Sequence, residues 1–151
     1  MEFRRAIPTD SGGIASIESE VFPDAWNQRD ITNLICTEGG VCFVAMEGDK
    51  VVAYVLARLI PPECEIYRVA VLPEYRKRGI AYRLMDYAIK TSRGKGLEIV
   101  FLEVRESNLP AVKLYEAYGF KRIGLRKNYY KNPTENAVLM LYGNSADLGE
   151  V

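Results

Sequence analysis

Histidine is absent from this 151-residue sequence. That removes Ser-His-Asp and Cys-His nucleophilic catalysis and most catalytic zinc sites, leaving carboxylates, tyrosines, lysines and backbone groups to carry any chemistry. Cysteine is scarce. Cys36, Cys42 and Cys64 are odd in number, widely spaced and set among apolar residues, which fits reduced buried thiols rather than disulfides or a CxxC metal knuckle. Neither sign of charge is in excess: 20 Lys plus Arg balance 20 Asp plus Glu, so no net field draws the chain to nucleic acid or a membrane surface. The longest apolar run is far short of a membrane span, and Met1-Glu2-Phe3-Arg4-Arg5 lacks the apolar core of a signal peptide. The expectation is a cytoplasmic protein without metal, nucleic acid or membrane partner. Its length suits one domain with a proper core. The phosphate loops GxxxxGK(S/T) and strand-following GxGxxG are also missing.

What is present centres on the stretch from Ile66 to Ala88. Val69-Ala70-Val71-Leu72 is an apolar run of the kind that forms a buried strand, and Pro73 stops it. After Glu74 and Tyr75 come Arg76-Lys77-Arg78-Gly79-Ile80-Ala81. Ile80, Leu84, Met85, Ala88 and Ile89 then recur at helical spacing. The unit is therefore strand, basic glycine-bearing turn, helix. Free N–H groups in the first turn of a helix, at the positive end of its dipole, favour an anion there. Gly79 and Ala81 let a phosphate approach the backbone, and the three basic residues add charge around it.

Along the rest of the chain, Phe3 to Ala6 reads as a strand. Thr9 or Asp10 is placed to cap a helix ending near Val21, and Asn27 to cap a second one carrying Ile31, Leu34 and Ile35. Val41 to Met46 and Val51 to Ile60 form an expected hairpin about Glu47-Gly48-Asp49-Lys50, followed by a strand from Glu63 to Leu72. Leu97 to Val104 is nearly all apolar, as suits an interior strand parallel to the previous one across a helical crossover. A helix from Ser107 or Asn108 to Tyr118 precedes a last antiparallel pair, Phe120 to Tyr130 and Glu135 to Tyr142. The expected domain is residues 1–142, with 143–151 a disordered tail.

Glu103 ends an otherwise apolar strand, where an uncompensated carboxylate is costly to bury. It is either solvated, paired with Arg105 or Arg122, or a base at the mouth of a cleft. On the next helix Asn108, Ala111 or Val112 and Tyr115 share a face. Phe22, Pro23 and Trp26 form an aromatic break that either lines a pocket or clasps two helices.

Arg76-x-x-Gly79-x-Ala81 resembles the acyl-CoA loop of the GCN5-related N-acetyltransferase (GNAT) superfamily. Leu102-Glu103-Val104-Arg105 with Ser107-Asn108, Leu114-Tyr115-Glu116 and Gly119-Phe120 is similar to its RimI branch of N-terminal α-amino acetyltransferases. Arg126-Lys127-Asn128-Tyr129-Tyr130 resembles that branch's R-x-x-Y-Y segment, and Phe22-Pro23…Trp26 its FPW-type loop with an insertion. The resemblance spans roughly Arg4 to Tyr142. It implies an α/β fold, a single GNAT-like domain with a mixed, mostly antiparallel seven-stranded sheet, about four helices and a central parallel strand pair that splays apart. It implies acetyl-CoA as cosubstrate, held by Val69, Ala70 and Val71 backbone, by Arg76, Lys77, Arg78, Gly79, Ile80, Ala81 and Tyr82 around the pyrophosphate, and by Asn108. Glu103 becomes the proton acceptor and Tyr115 the proton donor, with Phe22, Trp26, Tyr129 and Tyr130 on the acceptor side. The implied acceptor is a protein N-terminus, a ribosomal protein among the candidates, and the implied state a monomer or weak homodimer. A small amine such as a polyamine or aminoglycoside is the alternative acceptor. A CoA-binding regulatory module without turnover is a third reading, which the presence of both Glu103 and Tyr115 disfavours.

Overall fold

The computed structural model describes residues 1–143. The expected tail therefore lies outside the described residues, apart from Gly143, which ends the last strand. Seven strands, β1 (Glu2–Arg5), β2 (Phe43–Glu47), β3 (Lys50–Ile60), β4 (Glu63–Val71), β5 (Ile99–Arg105), β6 (Lys121–Tyr130) and β7 (Glu135–Gly143), form one sheet in the order β1-β2-β3-β4-β5-β7-β6. Four helices accompany it: α1 (Ser11–Val21), α2 (Gln28–Cys36), α3 (Ile80–Arg93) and α4 (Leu109–Tyr118). All neighbouring strands are antiparallel except β4 and β5, as the apolar run and its helical crossover predict.

β3 is buried on both faces because each face carries a helix. Tyr54 meets Glu18 of α1, whereas Phe43, paired with Val55, meets Tyr87 of α3. α4 lies on the α3 side, where the Tyr118 hydroxyl donates to Asp86 at 2.8 Å. Asn27 caps α2 as expected, accepting from the Asp30 N–H at 2.8 Å. Asp10 does not cap α1. Its carboxylate turns back to accept from the Ile7 N–H at 2.8 Å and from Arg4 at 2.8 and 2.9 Å, because a guanidinium fork outcompetes an orphan amide.

Two irregularities position the site. β4 and β5 pair only from Glu63↔Ile99 to Ile66↔Leu102, and beyond that point they part. In addition, the β3–β4 register slips between Leu56↔Arg68 and Ala57↔Ile66, leaving Tyr67 as an extra residue. Strict alternation would send Glu65 and Arg68 to opposite faces. The bulge instead puts both on the α1 side, together with Glu103 on β5.

Candidate active site

A cleft of about 1070 Å³ opens where β4 and β5 diverge. One wall is Tyr67 to Val71; the other is Glu103 to Arg105 with Asn108, Ala111 and Tyr115 of α4. At one end lie Arg76, Lys77 and the start of α3; at the other, Phe22, Trp26, Tyr129 and Tyr130. Glu103 alternates on β5 with Leu102 and Val104, which are buried on the α3–α4 side, so it faces the α1 side. Tyr115 comes from the α4 side. Base and donor candidates thus approach the gap from opposite faces of the sheet.

The α3 end is shaped for an anion. Lys77 (φ +64°) and Gly79 (φ +73°) both adopt left-handed backbone, the geometry that gathers N–H groups into a concavity. A Cβ on Gly79 would meet nothing within 4 Å, so glycine is required there for its dihedral and for open approach. The N–H groups of Ile80, Ala81 and Tyr82 fall in the first turn, before the helical bond from Arg83 to the Gly79 carbonyl. Arg76 anchors the loop by donating from Nε to the Val71 carbonyl at 3.1 Å. Every residue expected to hold the cosubstrate lines the cleft except Arg78. Its guanidinium sits 5.0 Å above the Tyr75 ring and donates to the Glu74 carbonyl at 3.0 Å. Asn108 spends its Oδ1 capping α4, accepting from Ala111 at 3.3 Å, which leaves its amide NH₂ for a ligand.

Glu103 pairs with Arg126, Nε to Oε2 at 3.3 Å, not with Arg105 or Arg122. The register explains this. Arg122 lies in the row of Met140 and Leu102, on the far face, whereas Arg126 lies in the row of Ala137 and Arg105, on the face of Glu103. Arg105 turns outward to the Lys131 and Pro133 carbonyls and stacks on Tyr130 at 4.5 Å. The Arg126 contact has ion-pair but not hydrogen-bond geometry, so the buried Oε2 of Glu103 has no hydrogen-bond donor. A carboxylate oxygen left open in a cleft is available to an N–H of a ligand. Glu65 is a second carboxylate on the same face, held above its usual range first by burial and then by the charge of Glu103. Burial also raises the Tyr115 hydroxyl above the ordinary phenol range, Tyr130 adding to the shift and Arg68 opposing it. Tyr130 is pushed up to about 12 by burial and by Glu103.

At the end of the cleft away from α3 two loops face one another. Pro23 and Asp24 of the α1–α2 loop share a second pocket with Tyr129 and Tyr130 at the end of β6 and with Lys131 and Asn132 of the β6–β7 turn. Trp26 packs on Tyr67 at 5.6 Å, and Tyr129 meets Tyr130 edge-on at 5.1 Å. Sequence reasoning did not single out Glu65, Arg68 or Glu18, and it took Arg126 only as the start of the R-x-x-Y-Y segment, not as the partner of Glu103. Only Glu18 left a signal there, as a charged residue one step from the apolar stripe of α1.

The profile described as "Acetyltransferase (GNAT) family" matches residues 13–120. The chain belongs to the GNAT acetyltransferase family. It is an N-acetyltransferase. Over 134 residues it is 31% identical to the [Ribosomal protein bS18]-alanine N-acetyltransferase of Escherichia coli K12, covering 87% of this chain and 90% of that protein. The N-alpha-acetyltransferase RimI of Mycobacterium tuberculosis is 32% identical over 137 residues, covering 87% of this chain and 85% of the relative. Among solved structures, the ribosomal-protein-S18-alanine N-acetyltransferase of Escherichia coli superposes with a TM-score of 0.87 at 26% identity, over 94% of this chain and 92% of that one. The expected GNAT-like fold, with its seven-stranded mixed sheet, four helices and parallel pair, is the one present.

Proposed function

We propose that this GNAT protein moves the acetyl group of acetyl-CoA to the N-terminal α-amine of a protein, with a ribosomal protein the foremost candidate acceptor. The supporting observation is the convergence of Glu103 and Tyr115 on one gap between β4 and β5, with an anion-shaped loop at one end and two aromatic loops at the other. The names of the bS18-alanine acetyltransferase relatives favour the same acceptor. The residues fit acetyl-CoA: Lys77 and Gly79 to Tyr82 would receive its pyrophosphate, the Asn108 NH₂ would donate to it, and the unpaired edge of β4 from Val69 to Val71 would run beside the pantetheine.

An amine attacks a thioester only as the neutral base. An α-amine with pKa about 8 is about a tenth neutral at pH 7, whereas a lysine near 10.4 costs roughly 4 kcal/mol to deprotonate. Glu103, directly or through water, suffices for the first and not the second. Its open Oε2 accepts the ammonium proton, and a backbone N–H of Val69 to Val71 steadies the negative charge that develops on the acetyl oxygen. As the C–S bond breaks, Tyr115 would give its proton to the departing sulfur, and the second proton lost from the attacking nitrogen would restore the phenol. Because burial raises Tyr115, it remains a protonated donor throughout the neutral range, and the transfer relies on a sulfur equally deprived of water.

The test is mass-spectrometric acetylation of short peptides differing in the first residue (Ala, Ser, Met, and an N-blocked Lys control), run beside spermidine. Modification confined to the α-amine is the expected result. Turnover of spermidine with every peptide silent overturns it in favour of a small-amine acceptor.

A further inference from the structure

Glu18 on α1 is fully buried, at 0% exposure. An isolated carboxylate there is costly, and an apolar side chain of similar size would fill the space with less loss of hydration. Its partners show where the charge is used. Glu18 accepts from the Tyr54 hydroxyl of β3, from the Trp26 N–H at 3.0 Å, and from Arg68 Nε, 3.2 Å from each oxygen. Arg68 then reaches outward. Its Nη2 donates to the Asp24 carbonyl at 2.9 Å and to the Asp24 carboxylate at 3.2 Å, and its plane lies over the Phe22 ring at 3.8 Å. One guanidinium on the bulged part of β4 therefore ties helix α1 to two residues of the α1–α2 loop, while Glu18 ties down a third.

We propose that Arg68, seated on Glu18, is a positioning residue that holds the Phe22–Trp26 loop in the shape that receives the acceptor. This rests on the reading that the loop lines the acceptor groove. Arg68 acts through the loop, so it sets how tightly the acceptor binds and not how fast bound acceptor reacts. Lysine cannot replace it: a single ammonium can neutralise Glu18 but cannot also bond Asp24 and lie flat on Phe22.

The experiment is Arg68→Lys, with folding checked by circular dichroism. Trp26 is the only tryptophan of the chain, so acrylamide quenching of its fluorescence reads the loop with no substrate present. Losing a charge-assisted bond should loosen the loop, raising Trp26 quenching and the peptide KM about tenfold. The kcat and the acetyl-CoA KM should stay within about twofold of wild type. Unchanged quenching and peptide KM overturn the proposal; so does a fall in kcat with peptide KM unchanged, which would put Arg68 in the chemistry. If Arg68→Lys does not fold, Asp24→Ala, at an exposed side chain, removes the carboxylate bond and keeps the carbonyl one, and must move both readouts in the same direction by a smaller amount. If wild-type protein acetylates spermidine and no peptide, the acceptor reading fails by itself, and Trp26 quenching alone decides whether Arg68 holds the loop.

Discussion

Replacing Glu103 by Gln removes the proposed base while keeping shape and nearly all packing. The cost to stability should be small, because its ion-pair partner Arg126 is 56% exposed, and such pairs contribute about 0–1 kcal/mol. The cost to turnover is different. General-base catalysis contributes roughly 10²–10⁴-fold, and an amide at this position accepts no proton. The variant must wait for acceptor that is already neutral, about a tenth of the α-amine at pH 7 and about nine-tenths at pH 9. The wild-type to variant ratio of kcat/KM should therefore be about 100-fold at pH 7 and shrink by close to tenfold at pH 9. The assay is release of CoA thiol with acetyl-CoA saturating and an Ala-peptide well below its KM, in buffers of equal ionic strength from pH 6 to 9. A variant within threefold of wild type at pH 7 would refute Glu103 as base. A large loss that is identical at pH 7 and pH 9 would refute it too, since a displaced loop or a lost ion pair carries no signature of amine protonation.

Tyr115→Phe keeps the ring contact with Phe120 at 5.5 Å, so thermal stability should hold while kcat drops about 10–100-fold with acetyl-CoA KM unchanged; an unchanged single-turnover rate removes Tyr115 as donor. Gly79→Ala meets no atom within 4 Å but must keep φ +73°, which costs about 1–2 kcal/mol of stability and sets a methyl in the path of the pyrophosphate; calorimetry should show weaker acetyl-CoA binding, and unaltered affinity would move the phosphate elsewhere. Glu65 has a folded pKa above its unfolded value, so its ionised form opposes folding above the folded pKa, and the penalty disappears as pH falls through that value. Glu65→Gln should accordingly raise Tm at pH 7 to 8 and lose that advantage near pH 4; equal gains at both pH values would mean that charge is not the cause.

The strands, the helices and the parallel pair were legible because each carries a local signal. The near-continuous apolar run of β5, the proline stop after β4 and the caps at Asn27 and Asn108 all depend on residues close in sequence. The basic, glycine-bearing turn ahead of α3 was legible for the same reason. Pairings that depend on register were not. Arg122 and Arg126 are equally basic neighbours on β6, and only the row that each occupies decides that Arg126 reaches Glu103. Thr9 or Asp10 was expected to cap α1, but Arg4, six residues back, claims the Asp10 carboxylate. Glu18 and Arg68, separated by 50 residues, leave no periodic trace of their meeting. The extra residue at Tyr67 is visible only once β3 and β4 are aligned.

That extra residue and the parting of β4 from β5 belong together. An interior strand normally satisfies its backbone N–H and C=O groups on both edges, and buried groups left open are costly. From Arg68 to Val71 β4 keeps its β3 edge but has no strand partner among the described residues on the other. Arg76 takes up the Val71 carbonyl, and the remaining groups on that edge face the cleft. An extended ligand with amides of its own answers that edge as an added strand would, which is what the two amides of pantetheine provide. The bulge turns Glu65 and Arg68 onto the face where Glu103 stands, so the discontinuity that opens the proposed cosubstrate cleft also gathers charged groups beside the proposed amine site. A deletion of Tyr67 that restored strict alternation should therefore damage both functions at once. Acetyl-CoA affinity and acceptor KM would worsen together in such a variant, whereas Arg68→Lys should move the acceptor KM alone.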